Sequence, residues 1–522
     1  MVSEGRPAST RPDDPPRTPL TDLTAALAGW GLHPEVAPGP GPAEPVVTGV
    51  SLSTHRIRPG DLYAALPGAR AHGADFAAEA VGGGAVAVLT DPDGLARLAT
   101  GPAAGRVPVL VVPRPRQVLG RLAARVYGDP AGAFRTIGVT GTQGKTTSTR
   151  LAESGLQAAG YHAAVVGTVG TRVDGEEVPT ALTTPEAPDL HGLFAVMRER
   201  GVEVCALEVS SHALVLGRVD GVVVDLAVFT NLGRDHLDFH ADLEDYFAAK
   251  ASLFTRARSR AGLVCLDDAW GRRLAAEAEV PVTTYSLRDG DADWGVCDVE
   301  AGPRGSRFTI LGPDGRRVAA AVPLPGDFNI ANCLAAVAAC ALVGCDPAPV
   351  AAAIADGPGV PGRLERVEAG QDLVVVVDYA HKPDAVAAAL RTLRPLTGGR
   401  LIVVLGAGGD RDPGKRPLMG SAAARGADLV IVTDDNPRSE DPAAIRRAVL
   451  AGTAGGAAEV LEVGDRREAI RVAIAGARAQ DVVLVAGKGH ETGQEAGGVV
   501  APFDDRSVVA EVLRDLADGA GR

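Results

Sequence analysis

Lysine is nearly missing from this chain of 522 residues: of 52 basic residues only five are lysine, which leaves 47 arginines. Wherever a generic positive charge suffices, the sequence uses arginine. The five lysines, Lys145, Lys250, Lys382, Lys415 and Lys488, lie in stretches dense with glycine, histidine or acids. There they point to tasks needing a compact ammonium, or an amine that can be modified, which a guanidinium cannot imitate. A basic block is also missing and the net charge is −13, which argues against nucleic acid or an anionic membrane as partner. Any anionic ligand must then be held by local devices. The six cysteines lack CxxC spacing and read as buried thiols of a reducing cytosol. Residues 1–18 contain Pro, Arg, Asp and Ser but no apolar segment, so the expectation is a disordered tail, with neither signal peptide nor membrane span.

What is present falls into three blocks. Residues 19–130 mix short strands ("AVAVLT", "VPVLVVP") with Ala-rich helices. Residues 131–355 alternate strand-like runs ("RTIGVTG", "VEVCALEVS", "VDLAVFTN", "AGLVCLDD") with helical stretches, the pattern of a parallel sheet covered by helices. "DGPGVPGR", 356–363, breaks the pattern and reads as a linker. In residues 356–522, "LVVVVDYA", "RLIVVLGAGG", "ADLVIVTDD" and "DVVLVAGKG" are four buried strands separated by helices. They predict a doubly wound, Rossmann-like α/β domain with ligands at the carboxyl ends of its strands. "LGAGGDRD" lacks GxGxxG spacing and is no dinucleotide fingerprint.

The strongest local signal is "GVTGTQGKTT", 138–147, placed between a strand and a helix. Backbone N–H groups of Gly141, Thr142, Gln143, Gly144, Lys145, Thr146 and Thr147, with the helix N-terminus, can cradle a polyphosphate. Lys145 would reach the terminal phosphates and the Thr146 hydroxyl would meet Mg²⁺. The strict GxxxxGK[ST] pattern is not met, because the glycines stand at 138, 141 and 144.

This GxxGxxGKTT form, followed by "LEVSSHAL", "VFTNLGRDHLDFH", "YFAAKASLF", "PGDFNIANCLAA", "VDYAHKPDA", "GGDRDPGKRP", "DNPR", "GKGHE" and "FDDR", resembles the Mur ligase superfamily from about residue 45 to 510. The resemblance implies three α/β domains and an ATP-dependent enzyme of cytoplasmic peptidoglycan precursor synthesis. In that reading the enzyme joins an amino acid to a carboxylate through an acyl phosphate. The expected substrates are UDP-MurNAc-L-Ala-D-Glu and meso-diaminopimelate, with ATP and Mg²⁺, and the expected state is a monomer. Two anions must meet in such chemistry, so lysine charge and Mg²⁺ are needed to offset their repulsion.

Residue by residue, the resemblance makes Lys145, Lys250 and His236 catalytic. Thr146, Glu208, His236 and Lys250 as a carbamate become metal ligands. Read alone, Glu208 and His236 are ordinary polar residues at strand ends, and Lys250 in "EDYFAAKASLF" is a solvated helix charge. The resemblance assigns Leu52, Thr54, Ala69, Arg70 and Ala71 to the uridine nucleotide, although Ser53, Thr54 and His55 stand where relatives commonly read Asp-Ser-Arg. It assigns Thr183, Thr184, Ser210 and Arg218 to the muramoyl-peptide. Gln143 and Leu216 depart from the commoner Asn and Gln. Asn329, Asn332 and Asp378 match nucleotide-binding positions, the asparagines being equally readable as helix caps. Arg411, Asp435, Asn436, Pro437, Arg438, Gly487 and Glu491 follow three different strands of one domain and would clamp the far amino-acid head of diaminopimelate. A ligase for L-lysine would lack the arginine of DNPR. No residue is named as general base. The alternatives are a folylpolyglutamate synthase-like ligase, disfavoured by the long N-terminal block and by DNPR, and a P-loop NTPase switch. Domain closure is expected because three blocks serve two substrates and ATP.

Overall fold

A computed structural model describes residues 10–39, 44–302 and 304–520, which form two compact units. The first comprises residues 1–295, 312–314 and 334–353, and the second the remainder. Residues 1–9 of the expected tail lie outside the described residues. Residues 10–18 correct that expectation. Arg11 is buried, bonds Asp61 at 2.9 Å and donates to the Val50 carbonyl at 2.7 Å. A charge pair sealed against solvent orders this segment where composition alone had no apolar anchor to offer.

The first unit holds two sheets. One has five strands in the order Glu35–Ala37, Val109–Val111, Ala87–Thr90, Asp61–Ala64 and Gly49–Ser51, parallel except at the first. Leu20, Leu23 and Leu27 pack on it with Leu119 and Leu122. The other has eight strands in the order Glu176–Val178, Thr171–Val173, Ala163–Val166, Val204–Glu208, Arg135–Thr140, Val224–Phe229, Ser259–Cys265 and Val282–Tyr285. Its last six strands are parallel and its first two antiparallel. Strand Arg135–Thr140 is buried from Thr136 onward, as expected when helices cover both faces. The chain builds Ala163–Val166 and Val204–Glu208 on one side of this strand and then crosses to Val224–Phe229 on the other. That reversal opens a crevice at the carboxyl ends of Val204–Glu208, Arg135–Thr140 and Val224–Phe229.

The second unit is built on six strands in the order Glu365–Arg366, Val374–Asp378, Val482–Ala486, Leu401–Leu405, Leu429–Val432 and Glu459–Glu462. All are parallel except the first. The four apolar runs are the four central strands. The two outer strands escaped the sequence reading because Glu365–Arg366 and Glu459–Glu462 carry charge instead of a continuous apolar run. Also unanticipated are a three-stranded sheet, Gly295–Gly302, Gly305–Gly312 and Arg316–Val322, and an antiparallel hairpin, Gly493–Ala496 with Val499–Pro502. Segment 356–363 is packed and not an open linker: Val360 is buried and the Gly362 N–H donates to Glu365 at 2.6 Å. All six cysteines are free, and Cys297 departs from the expected burial by being half-buried.

Candidate active site

Strand Arg135–Thr140 runs into the turn Gly141–Gly144 and then helix Lys145–Ala158. Gly141 and Gly144 have φ of 145° and 87°, a left-handed backbone that a side chain would strain, so the glycine spacing is set by the turn itself. The turn is fastened from outside. The Gln143 N–H donates to Asn231 Oδ1 at 3.0 Å, and the Thr142 N–H donates to the Asn231 carbonyl at 2.9 Å.

Two lysines meet on one carbonyl. Lys145 Nζ donates to Gly141 O at 2.8 Å and to Thr142 O at 3.0 Å, and Lys250 Nζ donates to the same Gly141 O at 2.8 Å. Lys250 is 1% exposed, with its ammonium 4.4 Å from the centre of the Tyr246 ring. Helix Leu243–Ala251 therefore points this lysine inward, against the ordinary reading of a lysine on an amphipathic helix. Burial first, and the charge of Lys145 second, hold its pKa well below the usual lysine value, partly opposed by Asp235.

Glu208, at the end of its strand, is buried and makes no ion pair among the described residues. Its oxygens accept from Thr146 Oγ1 at 3.0 Å, the Thr168 N–H at 2.7 Å and Thr168 Oγ1 at 3.2 Å. A buried carboxylate whose hydrogen-bond donors among the described residues are all neutral is chemically suited to a hard cation. No three His, Cys, Asp or Glu side chains gather into a metal-holding group among the described residues. His236 has φ 52°, lies 3.4 Å from Asp235 Oδ2 and sets its ring edge-on to His212 at 4.8 Å.

Beside Glu208, Thr184 Oγ1 donates to the Glu208 carbonyl at 2.7 Å, and Thr183 Oγ1 lies 3.0 Å from Thr168 Oγ1. Ser210 caps helix Ser211–Val215 by accepting from the Ala213 N–H at 3.1 Å. Arg218 pairs with Glu186 at 2.9 Å, so this guanidinium is braced before any substrate anion arrives. The structure thus brings the phosphate loop, Glu208, Thr183, Thr184, Ser210 and Arg218 into one neighbourhood. Sequence reading gave no role to Thr168, Glu186 and Tyr246, which contact those residues; Tyr246 stands in the quoted "YFAAKASLF" and Thr168 in no motif. In the first sheet, Leu52 and Thr54 follow strand Gly49–Ser51, while Ala69, Arg70 and Ala71 form an exposed turn beyond the adjacent strand Asp61–Ala64.

In the second unit, three strand ends carry the other predicted group. Arg438, at φ 53°, donates through its N–H to Glu495 O at 2.9 Å, through Nη1 to Gly409 O at 2.6 Å, and faces Glu495 Oε2 from Nε at 3.3 Å. Asn436 Nδ2 donates to Glu491 Oε2 at 2.8 Å. Gly487, at φ 120°, has no room for a side chain, because a Cβ there would sit 2.6 Å from Asp435 Oδ2. Arg411 is exposed on the loop after Leu401–Leu405, and among the described residues it makes no hydrogen bond or ion pair. Asp434, in contrast, is taken by Arg446 at 2.5 Å.

Asp378 accepts from the Leu364 N–H at 2.7 Å and the Ala380 N–H at 2.8 Å, and its carbonyl accepts from the Gly487 N–H at 3.1 Å. Burial raises the pKa of its carboxyl, with Arg363 opposing. Asn329 and Asn332 are not helix caps: both lie inside helix Asp327–Leu342. Asn329 Nδ2 donates back to Pro325 O at 2.8 Å and Asn332 Nδ2 to Asn329 Oδ1 at 3.2 Å.

Family models match three successive segments: the Mur ligase family catalytic domain at 46–127, the Mur ligase middle domain at 139–340 and the Mur ligase glutamate ligase domain at 362–489. A UDP-N-acetylmuramoyl-L-alanyl-D-glutamate–2,6-diaminopimelate ligase of Streptomyces coelicolor is 55% identical over 513 residues, 97% of this chain and 99% of that protein. The chain belongs to the Mur ligase family. A ligase of the same description from Corynebacterium glutamicum is 50% identical over 95% of this chain and 98% of its own. Among solved structures, a ligase so described matches at 35% identity with a TM-score of 0.65, over 90% of this chain and 96% of that one. A D-alanyl-D-alanyl ligase from Acinetobacter baumannii shares the fold at 17% identity, with a TM-score of 0.61 over 97% and 99% of the two chains. The family's three mixed α/β domains are those of the sheets above.

Proposed function

We infer that this chain is an ATP-dependent ligase that adds 2,6-diaminopimelate, in its meso form, to the D-Glu side-chain carboxylate of UDP-MurNAc-L-Ala-D-Glu in peptidoglycan precursor synthesis. The observation that carries the reaction class is the meeting of Lys145 and Lys250 on the Gly141 carbonyl of a phosphate loop. The substrates follow from the diaminopimelate ligases that are 55% and 50% identical to this chain over 97% and 95% of its length.

The D-Glu carboxylate attacks the γ-phosphorus of ATP and ADP leaves. The diaminopimelate amine then attacks the acyl carbon, and phosphate departs from the tetrahedral intermediate. Residues 141–147 hold the polyphosphate by backbone N–H groups, and Lys145 adds charge. Asn329, Asn332 and Asp378 serve the nucleotide, Thr183, Thr184, Ser210 and Arg218 the muramoyl-peptide, and Leu52, Thr54 and Ala69 to Ala71 the uridine end. Thr146, Glu208, His236 and carbamylated Lys250 would hold Mg²⁺, which supplies positive charge against the phosphates. Burial beside Lys145 favours the neutral amine of Lys250 over its ammonium. Its nitrogen forms a bond to carbon dioxide and its proton passes to water, leaving a carbamate anion where a cation stood. Arg411, Asp435 to Arg438, Gly487 and Glu491 clamp the distal head. The division into 19–130, 131–355 and 356–522, a monomeric state and a cytoplasmic site of action belong to the same reading. No helix among the described residues is long and apolar enough to cross a membrane.

The test is phosphate release from ATP with UDP-MurNAc-dipeptide and a panel of amino acids. Turnover requiring both the nucleotide-sugar and diaminopimelate is expected, and turnover with neither would overturn the ligase reading. For Lys250, Lys250→Ala should be inactive and partly restored by short carboxylates. A variant active without them would remove the carbamate.

A further inference from the structure

One buried charge has no part in the chemistry so far. Lys488, one of the five lysines, is 0% exposed at the carboxyl end of strand Val482–Ala486. An ammonium so placed is tolerated only when each N–H finds an acceptor. Lys488 finds three: Gly493 O at 2.6 Å, Asn436 Oδ1 at 3.1 Å and Glu491 Oε2 at 3.1 Å.

These contacts fix more than the lysine. Asn436 Oδ1 also accepts the Glu495 N–H at 2.9 Å, so the amide cannot turn over, and its Nδ2 is directed to Glu491 Oε2 at 2.8 Å. Glu491 Oε2 thus takes two donors, while no described residue donates to Oε1, on a side chain 33% exposed. The carboxylate is held with one oxygen turned to the lysine and the other left for an incoming cation. Through Gly493 the same ammonium pins the hairpin Gly493–Ala496 with Val499–Pro502, whose Glu495 holds Arg438 by backbone and side chain. One charge therefore orients both an acid suited to an ammonium and an arginine suited to a carboxylate. Arginine could not substitute, because a planar fork with five donors would exceed the three acceptors in a closed space.

We propose that Lys488 is a positioning residue for amino-acid selection: it orients both the Glu491 carboxylate and, through the hairpin, the Arg438 guanidinium without touching the substrate. The proposal rests on the diaminopimelate reading above. The experiment measures steady-state kinetics of Lys488→Met and Lys488→Arg in the full chain, varying meso-diaminopimelate, L-lysine, ATP and UDP-MurNAc-dipeptide separately. In Lys488→Met the KM for diaminopimelate should rise roughly 30-fold or more, with KM for ATP and the nucleotide-sugar within about twofold and kcat changed less than KM. The preference for diaminopimelate over L-lysine should fall by a similar factor, and Lys488→Arg should not restore it. Acyl-phosphate formation without amino acid should persist. An unchanged diaminopimelate KM, or an equal rise in all three KM values, would overturn the proposal. So would failure of both variants to fold, since Lys488 would then be structural alone. A wild-type enzyme that ignores diaminopimelate would instead sink the functional reading beneath it.

Discussion

The proposed phosphate loop of the first unit and the proposed amino-acid clamp of the second both sit at the carboxyl ends of parallel strands, yet they are made of different material. In the loop, binding groups belong to the backbone, the glycines shape the turn, and Gln143 is fastened through its amide and carbonyl. In the clamp, Asn436, Arg438, Lys488 and Glu491 act through side chains bonded to each other or to the adjoining hairpin. A backbone site tolerates many side chains provided the turn survives, and reads charge. A side-chain site tolerates few, and reads shape. The loop should therefore set rate and the clamp selectivity.

The largest effect expected from this contrast is at Lys145, the loop's one indispensable side chain. Lys145→Ala should lower acyl-phosphate formation by roughly 10³-fold or more, in line with the loss of a preorganised charge at a transferring phosphoryl group. The measurement is acyl phosphate trapped in the absence of amino acid, with thermal unfolding as a control on the fold. Turnover near the wild-type rate would remove the ATP assignment from this loop.

Next in size is a pH effect that belongs to the scaffold of the first unit. His191 is fully buried, its Nε2 is 3.0 Å from Asp220 O, and burial lowers its pKa to about 4. The folded-state value lies below the unfolded value, so the unfolded chain binds the extra proton between them. Stability is therefore full above pH 6.5 and is lost as pH falls toward 4, by up to about 3 kcal/mol. In His191→Gln, which keeps a donor for the Asp220 carbonyl, denaturant midpoints should fall less steeply between pH 6.5 and 4 than in wild type. Parallel curves would show that another group carries the acid sensitivity.

The clamp comes third. A buried, unpaired guanidinium waiting for a carboxylate would discriminate by about 10³ or more. The structure reduces that figure, because the side chain is 24% exposed and already faces Glu495 and the Gly409 carbonyl. The desolvation penalty of an unpaired charge does not arise, and a single charge-assisted hydrogen bond of roughly 1.5–3 kcal/mol remains. Arg438→Ala should thus reduce the ratio of kcat/KM for meso-diaminopimelate over L-lysine by about 10- to 100-fold, with KM for ATP unchanged. A constant ratio would mean that Arg438 does not read the distal carboxylate.

How much of this was legible beforehand follows from the same contrast. The phosphate loop was readable because glycine spacing and a GKTT ending leave few other structures, and the four central strands of the second unit because burial on both faces forces apolar runs. The charged outer strands and the 295–322 sheet had no such signature. Lys250 is the sharper case: local periodicity puts it in solvent, and only the approach of its helix to Gly141, with the Tyr246 ring one turn earlier on the same helix, buries it. Thr168, Glu186 and Lys488 were missed as partners because their roles are defined by neighbours distant in sequence: Glu208 is 40 residues from Thr168, and Asn436 is 52 from Lys488.

The smallest expected effect tests the idea that the loop is a backbone device. A side chain at position 143, at the apex of the proposed phosphate loop, invites a catalytic role. The Gln143 side chain is exposed. Its N–H donates to Asn231 Oδ1 at 3.0 Å, and its carbonyl accepts from Thr230 Oγ1 at 2.6 Å and Asn231 Nδ2 at 3.2 Å. All three bonds survive truncation, and no special backbone conformation is asked of residue 143, since the left-handed positions belong to Gly141 and Gly144. Gln143→Ala should therefore change kcat and the KM for ATP by less than about threefold, within the range of a substitution that removes no named interaction. Asn231→Ala supplies the contrast: it removes one acceptor and one donor that fasten the turn, and the KM for ATP should rise about tenfold, as expected for the loss of about one to two hydrogen bonds. If Gln143→Ala were the more damaging of the two, the side chain would be in contact with nucleotide, and the division between a backbone loop and a side-chain clamp would fail at its simplest point.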